Sequence, residues 1–186
     1  MTRTAVFPLR NYNLAATLTS GQAFRWCEEN GAWENIIAGR WVCLHVKDKQ
    51  LHAQTAKPQK DWQWLTDYLQ LEVNLKKILA AFPKGDRHLA AAKKTCRGLR
   101  LLKQDPWETL AGFICSSNKR IVQIQQIIGE LCERYGEPAH AGWKTFPTAE
   151  RLAACSEDEL RQCRMGYRAK YLRGSAKMIT QDQIDL

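Results

Sequence analysis

Hydrophobic and polar residues follow two different periods along this chain. Between residues 21 and 56 the apolar positions come in short aromatic and β-branched runs: Phe24-Arg25-Trp26, Trp33 to Ile37, Trp41 to Val46 and Leu51 to Gln54. Turn signals separate them at Glu29-Asn30-Gly31, Ala38-Gly39-Arg40 and Lys47-Asp48-Lys49. This pattern predicts an antiparallel meander. Val42, Leu44 and Val46 alternate with Trp41, Cys43 and His45, so both faces carry apolar material, and helices from later in the chain are expected to cover one of them. After Pro58 the period lengthens. Trp62, Leu65, Tyr68 and Leu69 form a helical stripe, as do Leu75, Ile78 and Leu79, and only helices are expected from there to the end.

The best-marked helix runs from about residue 105 to 117. Asp105 suits the N-cap, Pro106 the first helical position, and Glu108 the acid position of a capping box. Leu110, Ala111, Phe113 and Ile114 make its body apolar enough to predict burial. It leads into Ser116-Ser117-Asn118-Lys119-Arg120, either an ordinary polar exit or a rigid mount for polar probes. Ile121, Ile124, Ile127, Ile128, Leu131 and Tyr135 then trace one face of a long helix that Gly136 stops. A loop through Pro138, Gly142 and Pro147 follows. Thr148 and Ser156 read as N-caps, the second with Glu159 completing a capping box; Gly166 breaks the chain, and Arg168 starts a basic helix. Strands first and helices after place a domain boundary near residue 100.

Charge sharpens this picture. The 186 residues carry 28 Lys and Arg against 19 acids, a net charge of +9, which favours a polyanionic partner. The excess is patchy: Arg161 to Lys177 holds six cations and no acid, and Lys93 to Lys103 is a second basic stretch. The seven cysteines are odd in number and form no CxxC pair, so they read as small buried hydrophobes in a reducing compartment. Cys43 and His45, with Cys27 or His52, have metal-ligating side chains, but the spacing matches no zinc pattern, and neither a metal nor a cofactor is expected. No segment approaches the roughly 20 apolar residues of a membrane span, and the amino terminus lacks an apolar run of signal-peptide length. The expectation is a soluble intracellular protein without a membrane partner.

Three motifs carry candidate chemistry, each with an ordinary alternative. Ser20-Gly21-Gln22-Ala23-Phe24-Arg25-Trp26 is either a turn before a strand or a place where a bare backbone carbonyl meets a flat ligand. Ser116-Ser117-Asn118-Lys119-Arg120 is the second. In the third, Met165-Gly166-Tyr167-Arg168-Ala169-Lys170-Tyr171, Tyr167 is either a core residue or a stacking wedge among cations.

In order and wording these motifs, GQAFRW, GLRLLKQDPWETLAGFICSSN and MGYRAKYL, resemble the 8-oxoguanine DNA glycosylases of the helix-hairpin-helix superfamily, from about residue 5 to about 178. The resemblance implies an α+β fold: an N-terminal antiparallel sheet resembling half of the TATA-binding-protein fold over residues 1–100, then the first part of an all-helical glycosylase domain over 101–186. It implies that Gly21 offers its carbonyl to the N7–H of 8-oxoguanine and that Asn118 fills the gap left by the flipped lesion. Tyr167 would wedge into the opposite stack and Arg168 would hydrogen-bond the orphaned base. Extruding a base costs a few kcal/mol, which inserted side chains offset.

Two departures from the family pattern matter. Gln123 stands where an arginine usually contacts the orphaned base, so weaker discrimination of the opposite base is expected. Lys119 and Arg120 replace asparagines and, with Lys170, are expected to touch phosphate. The family's excision chemistry uses a lysine amine that attacks the sugar C1′, just beyond a Leu-Pro-Gly-Val-Gly type turn, and a downstream aspartate. None of the three occurs in these residues. The expectation is therefore the recognition part of a base-excision N-glycosylase and AP lyase, inactive by itself. It would be a monomer on duplex DNA with 8-oxoguanine or abasic sites, in the cytoplasm, nucleoid or nucleus. The alternative is a non-catalytic damaged-DNA-binding module.

Overall fold

The computed structural model describes residues 1–186. They cluster into two compact units, Met1–Gln22, Glu28–Trp33 and Cys43–Lys103 in one, Ala23–Cys27, Glu34–Val42 and Gln104–Leu186 in the other.

The N-terminal part is an antiparallel sheet of five strands, β1 (Thr2–Pro8), β2 (Cys27–Glu29), β3 (Ala32–Ile37), β4 (Arg40–Lys47) and β5 (Gln50–Gln59), in the order β1-β5-β4-β3-β2. The meander β2 to β5 is the one its turn signals predict. Asn30-Gly31, Ala38-Gly39 and Asp48-Lys49 all take positive φ, as tight two-residue hairpin turns require. Two features differ from expectation. β1 pairs with β5, Val6 opposite His52 and Thr4 opposite Gln54, although its sequence TRTAVFP carries too little apolar alternation to announce a strand. Phe24-Arg25-Trp26 is not a strand: pairing begins only at Cys27. Trp26 and Arg25 are buried and Phe24 packs on the helical core, so this run anchors side chains instead of pairing its backbone.

The first unit adds α1 (Leu14–Leu18), α2 (Gln63–Leu69), α3 (Leu75–Ala80) and α4 (Arg87–Thr95). Its apolar interior includes Leu14, Leu18, Leu44, Leu51, Ala53, Leu65, Tyr68 and Leu69. The stripe of α3 is shallower than its periodicity implies, with no residue of that helix buried.

The second unit contains α5 (Pro106–Ser116), α6 (Ile121–Tyr135), α7 (Ala149–Ala154), α8 (Glu157–Leu160), a kink over Arg161–Met165 in which Cys163 and Arg164 leave helical geometry, and α9 (Arg168–Thr180). Between α6 and α7 the expected loop contains a small ribbon, β6 (Pro138–His140) with β7 (Trp143–Lys144), so the chain after Pro58 is not wholly helical. The caps form where the sequence puts them. Asp105 accepts from the Glu108 amide at 2.8 Å, Thr148 from Arg151 at 3.2 Å, and Ser156 with Glu159 closes a capping box. The Glu108 carboxylate turns elsewhere, to the Arg25 guanidinium at 3.6 Å. Gly136 ends α6 with φ −79° and ψ 153°, extended and not left-handed; glycine is needed there for space.

The helical core joins Ala111, Cys115, Ile127, Ile128, Leu131, Leu152, Leu160, Met165, Ala169 and Leu172. Cys115, Cys132, Cys155 and Cys163 are buried in it as small apolar groups, and burial pushes the thiols of Cys132 and Cys163 up to about 11. Cys27 and Cys96 are exposed, contrary to the expectation of burial. Phe113 also departs from it: α5 buries Ala111, Gly112 and Cys115, but Phe113 is 76% exposed. No helix is long and apolar enough to cross a membrane.

Candidate nucleic-acid interface

Most of the candidate side chains cluster where helices end or begin. α5 stops at Ser116, and the chain turns through Ser117, Asn118, Lys119 and Arg120 before α6 begins. Asn118 forms the tip, exposed and at φ 51°, in the left-handed region that asparagine tolerates better than most residues. The turn is tight: the Lys119 amide donates to the Ser116 carbonyl at 3.1 Å. Arg120 is exposed beside it and Lys119 half-buried.

A second tip lies at the start of α9. Gly166 takes φ 56° and ψ −133°, a conformation essentially closed to residues with a Cβ, and leaves Tyr167 as the exposed cap of the helix. The two tips meet. The Tyr167 hydroxyl is 3.3 Å from the Ser117 hydroxyl. The Arg168 guanidinium lies under the Tyr167 ring, 4.4 Å from its centroid. Tyr171, one turn on, meets the Tyr167 ring edge to face at 6.2 Å. The motif by itself gives Tyr171 no role; its spacing of four from Tyr167 on one helix face is the signal that points to it.

Arg168 is 5% exposed, and its guanidinium is turned inward. Nε donates to the Ser117 carbonyl at 2.8 Å, Nη1 to Met165 at 3.1 Å, and Nη2 to Ser117 and, at 3.5 Å, to Asn118. A buried guanidinium needs acceptors, and the unpaired carbonyls past the C-terminus of α5 supply them at the negative end of the helix dipole. Gln123 lies on the first turn of α6. It is exposed, but its Oε1 accepts from the Arg120 amide at 3.1 Å and so caps α6. Lys170 is exposed on the first turn of α9.

Gly21 belongs to the other unit. It takes φ 85°, and a Cβ there would meet nothing within 4 Å, so conformation requires glycine here and open space surrounds it. The neighbouring Gln22 pins this loop with its side-chain amide. Nε2 donates to the Arg100 carbonyl at 2.8 Å, and Oε1 accepts from the Leu102 amide at 2.9 Å. No three His, Cys, Asp or Glu side chains gather as a metal would require, and His45 stacks on His52 at 4.8 Å.

Exposed asparagine and tyrosine tips thus stand among cations at helix ends, in an α+β protein with a strand-first sheet and a helical unit. Residues 111–184 match the HhH-GPD superfamily of base excision DNA repair proteins. Residues 5–110 match the N-terminal domain of 8-oxoguanine DNA glycosylase, and the chain belongs to that family. It is 31% identical over 188 residues to N-glycosylase/DNA lyase OGG1 of Arabidopsis thaliana, covering 93% of this chain and 51% of that protein. Among solved structures it superimposes on MBOgg1 in complex with a low-affinity DNA ligand (TM-score 0.92, 31% identity, 100% of this chain and 66% of that one). It also matches the Clostridium acetobutylicum 8-oxoguanine glycosylase/lyase bound to DNA with cytosine opposite 8-oxoG (TM-score 0.87, 27% identity, 94% and 61%). The chain thus spans about half the length of the Arabidopsis relative.

Proposed function

We propose that this chain recognises 8-oxoguanine and abasic sites in duplex DNA, as the recognition part of a base-excision N-glycosylase and AP lyase. The observation that carries this reading is the pairing of two exposed tips, Asn118 in a left-handed turn and Tyr167 on a helix cap, the latter's hydroxyl 3.3 Å from that of Ser117. Asn118 fills the space of the flipped base, Tyr167 wedges the opposite stack, and Gly21 presents its carbonyl to the lesion. Arg120 and Lys170, exposed beside these tips, and Lys119 meet phosphate. Residues 1–100 act as the N-terminal domain and 101–186 as the first part of the glycosylase domain. The protein works as a monomer where DNA is kept, in the nucleus or nucleoid.

Binding to duplexes with an abasic-site analogue, measured by fluorescence anisotropy, tests this. Asn118→Ala and Tyr167→Ala should each weaken binding about tenfold, because a stacking or inserted group contributes about 1–3 kcal/mol. Unchanged affinity in both would sink the insertion reading. Lys119→Ala should weaken all duplexes alike and lower the salt slope by about one. With Gln123 in place of a cationic fork, affinities for the four opposite bases should lie within about tenfold.

The alternative reading of these 186 residues is a non-catalytic damaged-DNA-binding module. Borohydride trapping on an 8-oxoguanine duplex tests whether these residues carry out excision chemistry. No adduct is expected with these residues alone, and a covalent adduct would overturn that expectation.

A further inference from the structure

We propose that Gln22 is a positioning residue for lesion reading: its side-chain amide fixes the peptide plane that carries the Gly21 carbonyl, and so sets the preference for 8-oxoguanine over guanine. The proposal rests on the recognition reading above and deepens it by naming what aims that carbonyl.

Gly21 does not hold its own conformation. It takes φ 85°, and glycine populates positive and negative φ about equally. Its loop lies between α1 and β2, outside every helix and strand, so no backbone ladder fixes it. Gln22 follows directly, and its N–H shares one peptide plane with the Gly21 carbonyl.

The Gln22 side chain pairs as the backbone of a strand would. Nε2 donates to the Arg100 carbonyl at 2.8 Å and Oε1 accepts from the Leu102 amide at 2.9 Å, so one planar group takes the C=O and the N–H that flank Leu101. Nε2 also donates to Ser20 Oγ at 2.8 Å, and that hydroxyl donates to the Thr17 carbonyl at 2.8 Å, which ties the chain before Gly21 to α1. The segment that Gln22 grips is held in its turn. The Arg100 amide donates to Thr17 Oγ1 at 3.2 Å, the Gly98 carbonyl accepts from Asn13 at 2.8 Å, and the Lys103 amide donates to the Tyr68 carbonyl at 2.9 Å. Gly98 lies so close to α1 that a Cβ would come within 2.9 Å of the Asn13 nitrogen.

Aim matters because the two bases differ at one atom. Guanine presents a lone pair at N7 and 8-oxoguanine an N–H, so a carbonyl directed there meets an acceptor in one and a donor in the other. Hydrogen bonds weaken steeply off axis, and a carbonyl free to swing would lose the distinction. A primary amide suits the task, since it offers donors and an acceptor from one planar end.

Two measurements on the 186-residue chain decide. Without DNA, the NMR order parameter of the residue 22 amide should fall from about 0.85 to below about 0.6 in Gln22→Met. Those of Ile127 and Leu131 in α6 should stay unchanged, separating local release from global unfolding. With DNA, Gln22→Met should cut the ratio of affinities for 8-oxoguanine and guanine duplexes about tenfold, as expected for one aimed hydrogen bond. Affinity for an abasic-analogue duplex, which offers Gly21 no base, should change less than about twofold. Gln22→Glu keeps an acceptor for Leu102 but turns an oxygen toward the Arg100 carbonyl, and should move both readouts the same way.

An unchanged order parameter at residue 22 would overturn the staple. An unchanged affinity ratio would sever it from lesion reading, and an equal loss on all three duplexes would make Gln22 a structural residue only. A wild-type chain that binds both bases alike would overturn the recognition reading and, with it, the purpose of the staple, while the order parameter still reads whether the staple exists.

Discussion

Gly136→Ala should cost about 3 kcal/mol of stability or more, lowering the unfolding midpoint by roughly 10 °C. The new Cβ would sit 2.6 Å from the Cys132 carbonyl and closer still to the carbonyl of Thr145, with the Lys144 Cβ at 3.2 Å. The two nearest atoms are backbone, so no side chain can swing away to relieve the overlap. The backbone that carries them is also held: Cys132 O accepts from the Gly136 amide at 2.8 Å, and the Thr145 amide donates to the Glu137 carbonyl at 2.9 Å. Relief would have to open the end of α6 or the β6–β7 ribbon. Gly129→Ala is the control. It lies within the same helix with nothing within 4 Å of its Cβ, and should stabilise by about 0.5–1 kcal/mol. Equal denaturation midpoints for the two variants would refute the steric account.

Arg25→Ala should be nearly as damaging, at about 2–3 kcal/mol. The Arg25 side chain is 7% exposed, donates to the Lys144 carbonyl and lies 3.6 Å from Glu108. Truncation leaves a covered carbonyl without its donor and Glu108 without its cation. The pH dependence gives a second handle. Burial holds the Glu108 carboxyl above its ordinary value of 4.5, and the nearby Arg25 charge only partly offsets this. Because the folded-state value is raised, the native protein binds more protons than the unfolded chain between 4.5 and the folded value. Stability from this group is therefore full below 4.5 and is lost as pH rises through the folded value. Glu108→Gln should remove that slope, and Arg25→Ala should move it to higher pH because desolvation then acts unopposed. An identical pH profile in wild type and Glu108→Gln would refute the assignment.

The elements that are legible in the sequence share one property: their causes are local. The N-caps of α5, α7 and α8 rest on hydrogen bonds three residues long, as in Asp105 to Glu108 and Thr148 to Arg151. The hairpin turns are two-residue signals, and the stripe of α6 is a repeat within one helix that does bury Ile124, Ile127, Ile128 and Leu131. Expectation fails where a residue's partner is distant. Phe24-Arg25-Trp26 has strand composition, yet its side chains are spent on the helical core, about 80 residues or more away in sequence, as Arg25 meeting Glu108 shows. β1 becomes a strand only because β5 offers it an edge. Phe113 lies on an apolar helix but on the face away from the core.

The amino-acid sequence by itself determined the β2–β5 meander, the capped helix that carries the Ser117-Asn118 tip, the glycine break before Tyr167 and the cations around both. Periodicity, caps and turns act over a few residues, where neighbours in sequence are neighbours in space. The tertiary structure alone decided what those residues do to one another. It turned Arg168 inward onto carbonyls 51 and 50 positions away, gave Gln123 to the start of α6, and made Gly136 indispensable through a carbonyl on the far side of a ribbon. A buried guanidinium goes where acceptors converge, and convergence is a property of packing.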